Sequence, residues 1–245
     1  MLQTYLLIVF VAAVLQGLSG FGFGLVCMSV LPFFVPVRFA VVLISVLRAV
    51  PVATLLIQLR RHLEWRRIAP LLLGAVAGVP VGVWFLRTAS PTAVRVALGV
   101  VLTSYALWAL FRPTPAERPE PARGWGLLAG ALGGVLGGGF NTGGPPVVLY
   151  AAVAGWQRDM LRASLSCYFS TVIVVQLSLF AGSGILTLDV LRVQLLAAPA
   201  VILGTWLGSK LASRVPQARF QRGLLVLILI LGLTFLVRSL RGLIS

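Results

Sequence analysis

Carboxylates and imidazoles are scarce in this chain. Its 245 residues include five acids and a single histidine, His62, which stands in the polar stretch RRHLEWRR. One His, two separated Cys and no cluster of Asp or Glu cannot build a coordination shell inside a membrane, so no metal and no cofactor are expected. The two cysteines, Cys27 and Cys167, lie in apolar segments without the paired spacing of a disulfide framework and are expected to pack as small apolar residues. The same shortage argues against an enzyme. Residues 17–20 read GLSG, the short GxSG signature of an intramembrane serine protease. Ser19 would then need a histidine at its own depth to take its proton, and His62 reads as a loop residue.

Charge of either sign is thin, at 10% of residues, while 59% are hydrophobic and the mean hydropathy is +1.04. A soluble domain of this size needs far more polar surface. The apolar stretches are Tyr5 to Gln16, Leu25 to Phe34, Val37 to Leu59, Ile68 to Leu86, Val94 to Phe111, Trp125 to Leu136, Pro145 to Ala154, Met160 to Ala181, Val193 to Leu211 and Phe220 to Val237. Val37 to Leu59 would extend about 34 Å as a helix, enough to cross a hydrocarbon core of about 30 Å, whereas Tyr5 to Gln16 would reach only about 18 Å. The fold class expected is an all-α polytopic membrane protein with eight to ten hydrophobic segments. The first residues, MLQTYLLIVFVAAVLQ, lack the positive flank and cleavage pattern of a secretory signal and are expected to stay in the mature protein.

The formal net charge of +15 comes from 19 Arg and one Lys against the five acids. A nucleic-acid partner is not expected, because the basic residues sit in short segments between apolar stretches and not on one soluble face or tail. Membrane topology accounts for them better.

Short apolar stretches flank two glycine-rich breaks, GLSGFGFG at 17–24 and GGGFNTGG at 137–144, and three longer stretches follow each. Shifting the first half by 117 positions lays Gly17, Gly20, Gly22 and Phe23 on Gly134, Gly137, Gly139 and Phe140. A shift of 126 lays Arg66, Gly78 and Gly82 on Arg192, Gly204 and Gly208. The chain therefore reads as a duplication, with a first membrane repeat at 1–111, a polar linker at 112–124 and a second repeat at 125–245. Within that linker the run RPTPAERPEPAR carries four prolines, which preclude regular helix or sheet.

Short cytoplasmic loops are enriched in Lys and Arg, so charge selects the relative orientation of the repeats. If each break turns the chain back to the side it came from, one side holds Arg60, Arg61, Arg66, Arg67, Arg112, Arg118, Arg123, Arg158, Arg162, Lys210, Arg214, Arg219 and Arg222. The other holds Arg38, Arg87, Arg95, Arg192, Arg238 and Arg241, a split of thirteen to six. If the breaks were single spans, the bias would nearly vanish. Inverted repeats are expected, each a broken helical hairpin plus three transmembrane helices, with both termini outside. Trp65, Trp84, Trp125 and Trp156 fall near helix ends, where interfacial anchors belong.

Inverted repeats with interrupted helices suit a secondary transporter that holds its substrate where the breaks meet. An interrupted helix leaves unpaired amides and a positive dipole end facing the cavity, and glycine lets an anion approach that backbone closely. The substrate-binding residues expected are Ser19, Gly20, Gly22 and Gly24 in the first break, and Gly139, Asn141, Thr142, Gly143, Gly144 and Pro145 in the second. Leu25 and Pro145 are read as starting the helices after the breaks. Arg48 joins the site residues because it is twelfth of the 23 residues from Val37 to Leu59, at mid-membrane depth, with no acid at that depth to pair with. A guanidinium there is costly unless it faces a polar cavity and binds something. Gln58, Gln176, Tyr168 and Thr171 are weaker cavity candidates. Structural readings stand beside all of these: Arg48 can snorkel or bond carbonyls freed by Pro51, the glycines can serve tight packing, and the four weaker candidates can be plain links between helices.

The two breaks, and above all GGVLGGGFNTGGPPVVLY at Gly133 to Tyr150 followed by WQRD at Trp156 to Asp159, resemble the TauE/SafE family of sulfite and organosulfonate exporters over nearly the whole chain. The first break departs from the second by lacking a Pro-Pro pair. The resemblance implies a transporter of a small anion such as sulfite or an organosulfonate in the bacterial inner membrane. Its partners would be that anion and the lipid bilayer, with a homo-oligomer left open. A non-transporting membrane scaffold or assembly factor is the alternative reading.

Overall fold

The computed structural model describes residues 2–111, 122–185, 188–212, 225–226 and 228–237. The linker prolines, the arginines at 112, 118, 214, 219, 222, 238 and 241, and the side chains of Arg123 and Arg158 lie outside that description. Every regular element described is helical: α1 (Leu2–Ser19), α2 (Phe23–Val30), α3 (Val37–Leu59), α4 (Trp65–Thr88), α5 (Pro91–Phe111), α6 (Arg123–Phe140), α7 (Gly144–Val153), α8 (Arg158–Gly182), α9 (Leu188–Leu211) and α10 (Ile228–Val237). By length and composition α3, α4, α5 and α8 can each cross a bilayer. Large apolar side chains such as Leu73, Trp84, Leu195, Leu196 and Leu203 stay exposed along the outer faces, as a lipid-facing surface requires. Trp65 and Trp125 are likewise exposed. Trp156 is instead buried edge-on against Tyr150, 5.8 Å between ring centres, and is no interfacial anchor.

The glycine clusters are mostly helix. α1 runs on through Gly17 to Ser19 and α6 through Gly137 to Phe140, so the breaks shrink to residues 20–22 and 141–143. The first helix is accordingly 18 residues long, about 27 Å, longer than its apolar stretch suggests. α2 begins at Phe23 and α7 at Gly144, slightly ahead of the starts expected at Leu25 and Pro145. The clustered glycines remain helical because they seat one backbone on another. A Cβ on Gly17 would meet Thr205 and Ser209 of α9, and one on Gly138 would meet Val79 of α4. Such close backbone approach is the usual service of small residues inside membranes, where apolar burial alone does not drive helices together.

The main packing partners are exchanged between halves: α4 lies along α6, and α1 along α9. Gly74, Gly78 and Gly82 face Leu127, Ala131 and Val135 in that order, so α4 and α6 run the same way, and Gly204 and Gly208 face Phe10 and Val14 in the same sense. A constant offset now becomes visible. Leu2 and Ser19, the ends of α1, stand 121 residues before Arg123 and Phe140, the ends of α6; the starts of α2 and α3 stand 121 before those of α7 and α8. Phe10 and Val14 also stand 121 before Ala131 and Val135, which face the matching glycines of α4. The register of 117 therefore gives way to 121 at the breaks, while 126 holds for Gly78 and Gly82. The slip is four residues, about one helical turn: at 117 more residues of the clusters coincide, but the helix ends correspond at 121, where only Gly17 and Gly22 still fall on glycines, Gly138 and Gly143.

α7 folds back along α6. Gly137 approaches Gly143, Gly133 approaches Val147, and Gly126 approaches the ring of Tyr150. α8 then runs beside α6 in the same direction, joined to it by the Tyr168 hydroxyl donating to the Gly130 carbonyl (2.9 Å) and Gln176 Nε2 donating to those of Gly138 (2.9 Å) and Gly137 (3.2 Å). Tyr168 and Gln176 thus link helices. Among the described residues Thr171 bonds only the carbonyl of Cys167 one turn earlier, and Gln58 is exposed.

Candidate functional site

The two breaks meet. Gly24, in the first turn of α2, lies against the Asn141 backbone so closely that a Cβ there would overlap the carbonyl group, and Gly144, at the start of α7, faces the ring of Phe21. Between them is a pocket lined by Gln16, Phe21, Gly22, Gly24, Leu25, Arg48, Asn141, Thr142, Gly144 and Phe169. Its free volume for a water-sized body is about 10 Å³, room for about one water molecule. The breaks are closed on each other.

Local chemistry sets each wall. Gln16 clasps the first break from both sides, its Nε2 donating to the Gly20 carbonyl (2.9 Å) and its Oε1 accepting from the Phe23 amide (3.2 Å). Gly20 and Gly22 have φ of +82° and +111°, which only glycine adopts without strain. In the second break the left-handed residue is Asn141, φ +57°, the cap of α6. Its side chain ties the break to α3: Nδ2 donates to the Val41 carbonyl (2.8 Å), and Oδ1 accepts from the Ser45 hydroxyl (3.1 Å).

Arg48 is 2% exposed, and its Nη1 donates to the Asn141 carbonyl (3.0 Å). Nε and Nη2 are buried with no hydrogen-bond partner among the described residues. The guanidinium carbon sits 5.1 Å from the centre of the Phe169 ring, a cation–π contact that shields one face. Neither carboxylate of Glu64 nor Asp159 reaches it; these pair with Arg67 (3.2 Å) and Arg162 (3.5 Å). The freed carbonyls of Pro51 are not its partner. What results is a desolvated cation with two idle donors at a pocket wall, beside the first turn of α2, where the amides of Gly24 and Leu25 have no partner within the helix. This arrangement favours an anion.

Six of the eleven expected site residues line the pocket: Gly22, Gly24, Arg48, Asn141, Thr142 and Gly144. The other five lie beside it. The Ser19 hydroxyl donates to the Leu15 carbonyl (2.8 Å) and caps its own turn. Gly20 packs under Arg162, Gly139 sits in α6 against Gly82, and Gly143 approaches Gly133 inside the α6–α7 hairpin. Pro145 is half-buried in the first turn of α7, where Pro145 and Pro146 supply no N–H, so α7 offers fewer amides than α2. Sequence reasoning missed Gln16 and Phe169, which carry no positional signal, and Arg162, counted with the loop arginines although it is 7% exposed and inside α8. Its place within the apolar stretch Met160 to Ala181 was the available clue.

Comparison with known proteins adds a second line. The sequence pattern of the sulfite exporter TauE/SafE family matches residues 5–235. Over 200 residues the chain is 27% identical to the "probable sulfite/organosulfonate exporter TauE" of Cupriavidus necator, covering 80% of this chain and 78% of that protein. Over 176 residues it is 28% identical to the "probable inner membrane transporter protein TsaS" of Comamonas testosteroni, covering 71% and 73%. No solved structure matches.

Proposed function

We propose, from the premise that this chain belongs to the sulfite exporter TauE/SafE family, that it carries a small sulfur oxyanion, sulfite or an organosulfonate, across a bacterial inner membrane. The observation that carries this reading is Arg48: a buried guanidinium with two unused donors, at the pocket where both breaks meet. Such a charge is tolerated in a membrane when a guest anion completes it. The anion accepts two parallel hydrogen bonds from Nε and Nη2 and further ones from the Gly24 and Leu25 amides at the positive end of α2. Asn141 and Thr142 form the facing wall. Phe21 and Phe169 keep water away, which strengthens each polar contact.

The transport cycle follows from the closed pocket. An anion larger than one water enters only when the breaks part, so access alternates between faces as the hairpins move against α3 and α8. The two halves are inverted repeats in this reading. Its support is that α4, α6 and α8 run in one direction, that α7 doubles back on α6, and that the packing of α4 on α6 repeats as α9 on α1. The face carrying Arg60, Arg61, Arg66, Arg67 and the start of α8 is cytoplasmic by the positive-inside rule.

The test is uptake or counterflow of labelled sulfite, thiosulfate and sulfonates in vesicles holding the purified protein, with and without a pH gradient. Saturable flux of at least one of them, lost in Arg48→Leu at equal expression, supports the carrier. Failure of every anion points to the scaffold.

A further inference from the structure

Arg162 is tied to the first break as Asn141 is tied to the second. Its Nη2 donates to the Gly17 carbonyl in the last turn of α1 (2.6 Å), and its stem lies over Gly20, with Cγ 2.9 Å from where a Cβ would stand. Nη1 is 3.5 Å from the carboxylate of Asp159, one turn earlier and half exposed. The positions correspond. Gly20 stands 121 residues before Asn141, and Val41, which receives the Asn141 amide, stands 121 before Arg162. In each half the break therefore touches the third helix of the other half at one matched place. One contact is an uncharged amide; the other is a cation whose alternative holder, Asp159, lies at the rim.

We infer that Arg162 is the gate latch on the face where α8 begins: the pocket opens to that face when its guanidinium leaves the Gly17 carbonyl for Asp159. This rests on the transport reading given above. The short bond to Gly17 and the long approach to Asp159 describe the closed position. A carboxylate can accept two parallel bonds from a guanidinium, so transfer to Asp159 offsets the loss of the carbonyl partner. Release reaches the pocket through Gln16, which holds the Gly20 carbonyl and the Phe23 amide and is itself a pocket wall. Gly20 has no Cβ to obstruct the arginine stem.

The test reads gate opening without transport. With Cys167→Ser, the buried Cys27 of α2, three residues after the pocket residue Gly24, is the sole thiol. A membrane-impermeant cationic thiosulfonate is applied to oriented vesicles from each face in turn. Arg162→Gln should raise the Cys27 modification rate from the α8-start face severalfold, because the buried charged bond lost from the closed state is worth more than the half-exposed pairing with Asp159 lost from the open one. The rate from the opposite face should stay as it was. Arg162→Lys should stay near the parent, and Asp159→Asn should fall below it, because the cation is then kept on Gly17. An unchanged rate in Arg162→Gln, or an equal rise from both faces, overturns the latch. If Arg162→Gln does not fold, Asp159→Asn decides: a rate at or above the parent's overturns it. A wild-type protein that moves no anion sinks the transport reading while leaving these labelling rates to be judged alone.

Discussion

Arg48 of α3 donates through Nη1 to the carbonyl oxygen of Asn141, 93 residues further along, and thereby holds the break of one half from a helix of the other. That single bond leaves two of its three guanidinium nitrogens idle. Under the transport proposal, function and stability therefore pull in opposite directions at this residue.

Arg48→Leu should abolish anion flux while leaving the unfolding temperature in detergent unchanged or higher. Removing an unpaired buried cation relieves a penalty of several kcal/mol, and the Asn141 carbonyl loses one bond of about 1 kcal/mol. Loss of flux together with a clearly lower unfolding temperature would mean that the arginine serves structure. Arg48→Lys, a point charge without the fork, should recover only part of the flux.

Ligand binding should appear as thermal stabilisation. At an anion concentration a hundred times its dissociation constant, the folded state gains about 2.7 kcal/mol, read as a rise in unfolding temperature. The rise should vanish in Arg48→Leu and persist in Tyr168→Phe, which removes only the bond to the Gly130 carbonyl.

Asn141 should rank its substitutions by backbone. Both Asn141→Gly and Asn141→Ala lose the bonds to Val41 and Ser45, but only alanine must also bear the left-handed conformation, at about 1 kcal/mol. The expected order of unfolding temperature is wild type, then glycine, then alanine. Alanine equal to or above glycine would show that the positive φ is not held.

Glycines should split by surroundings. Gly24→Ala drives a methyl into the Asn141 backbone and should cost about 1–3 kcal/mol together with the flux, because neither partner is a flexible side chain that can swing aside. Gly124→Ala, exposed on α6 with nothing within 4 Å, should be neutral or stabilising by up to about 1 kcal/mol. Thermal unfolding of the two variants side by side checks this.

The sequence announced what is local. Arg48 stood out by its depth in an apolar run whose bounds match α3, and the glycine clusters marked where helices stop, although most of those glycines proved to be seats for a neighbouring backbone. The offset of 121 shared by the helix ends was not legible, since the sequence clusters coincide best at 117, one helical turn away. The partnerships of α4 with α6 and of α1 with α9 had no local trace, because nothing in one helix names the helix it will lie against. Phe169 was hidden for the same reason, since a phenylalanine in an apolar helix gains its place only from what packs on it, whereas Arg162 left one clue in lying inside the apolar stretch that begins at Met160.

The partnership of α1 with α9 also sets the order in which the chain can be assembled. Tyr5 finds Gln194 only after 189 more residues have been made, a wait of roughly 10 to 40 s at ordinary rates of synthesis. Until then the nascent first helix, whose glycines are shaped to receive a backbone that has not yet left the ribosome, must be sheltered by the insertion machinery or by lipid.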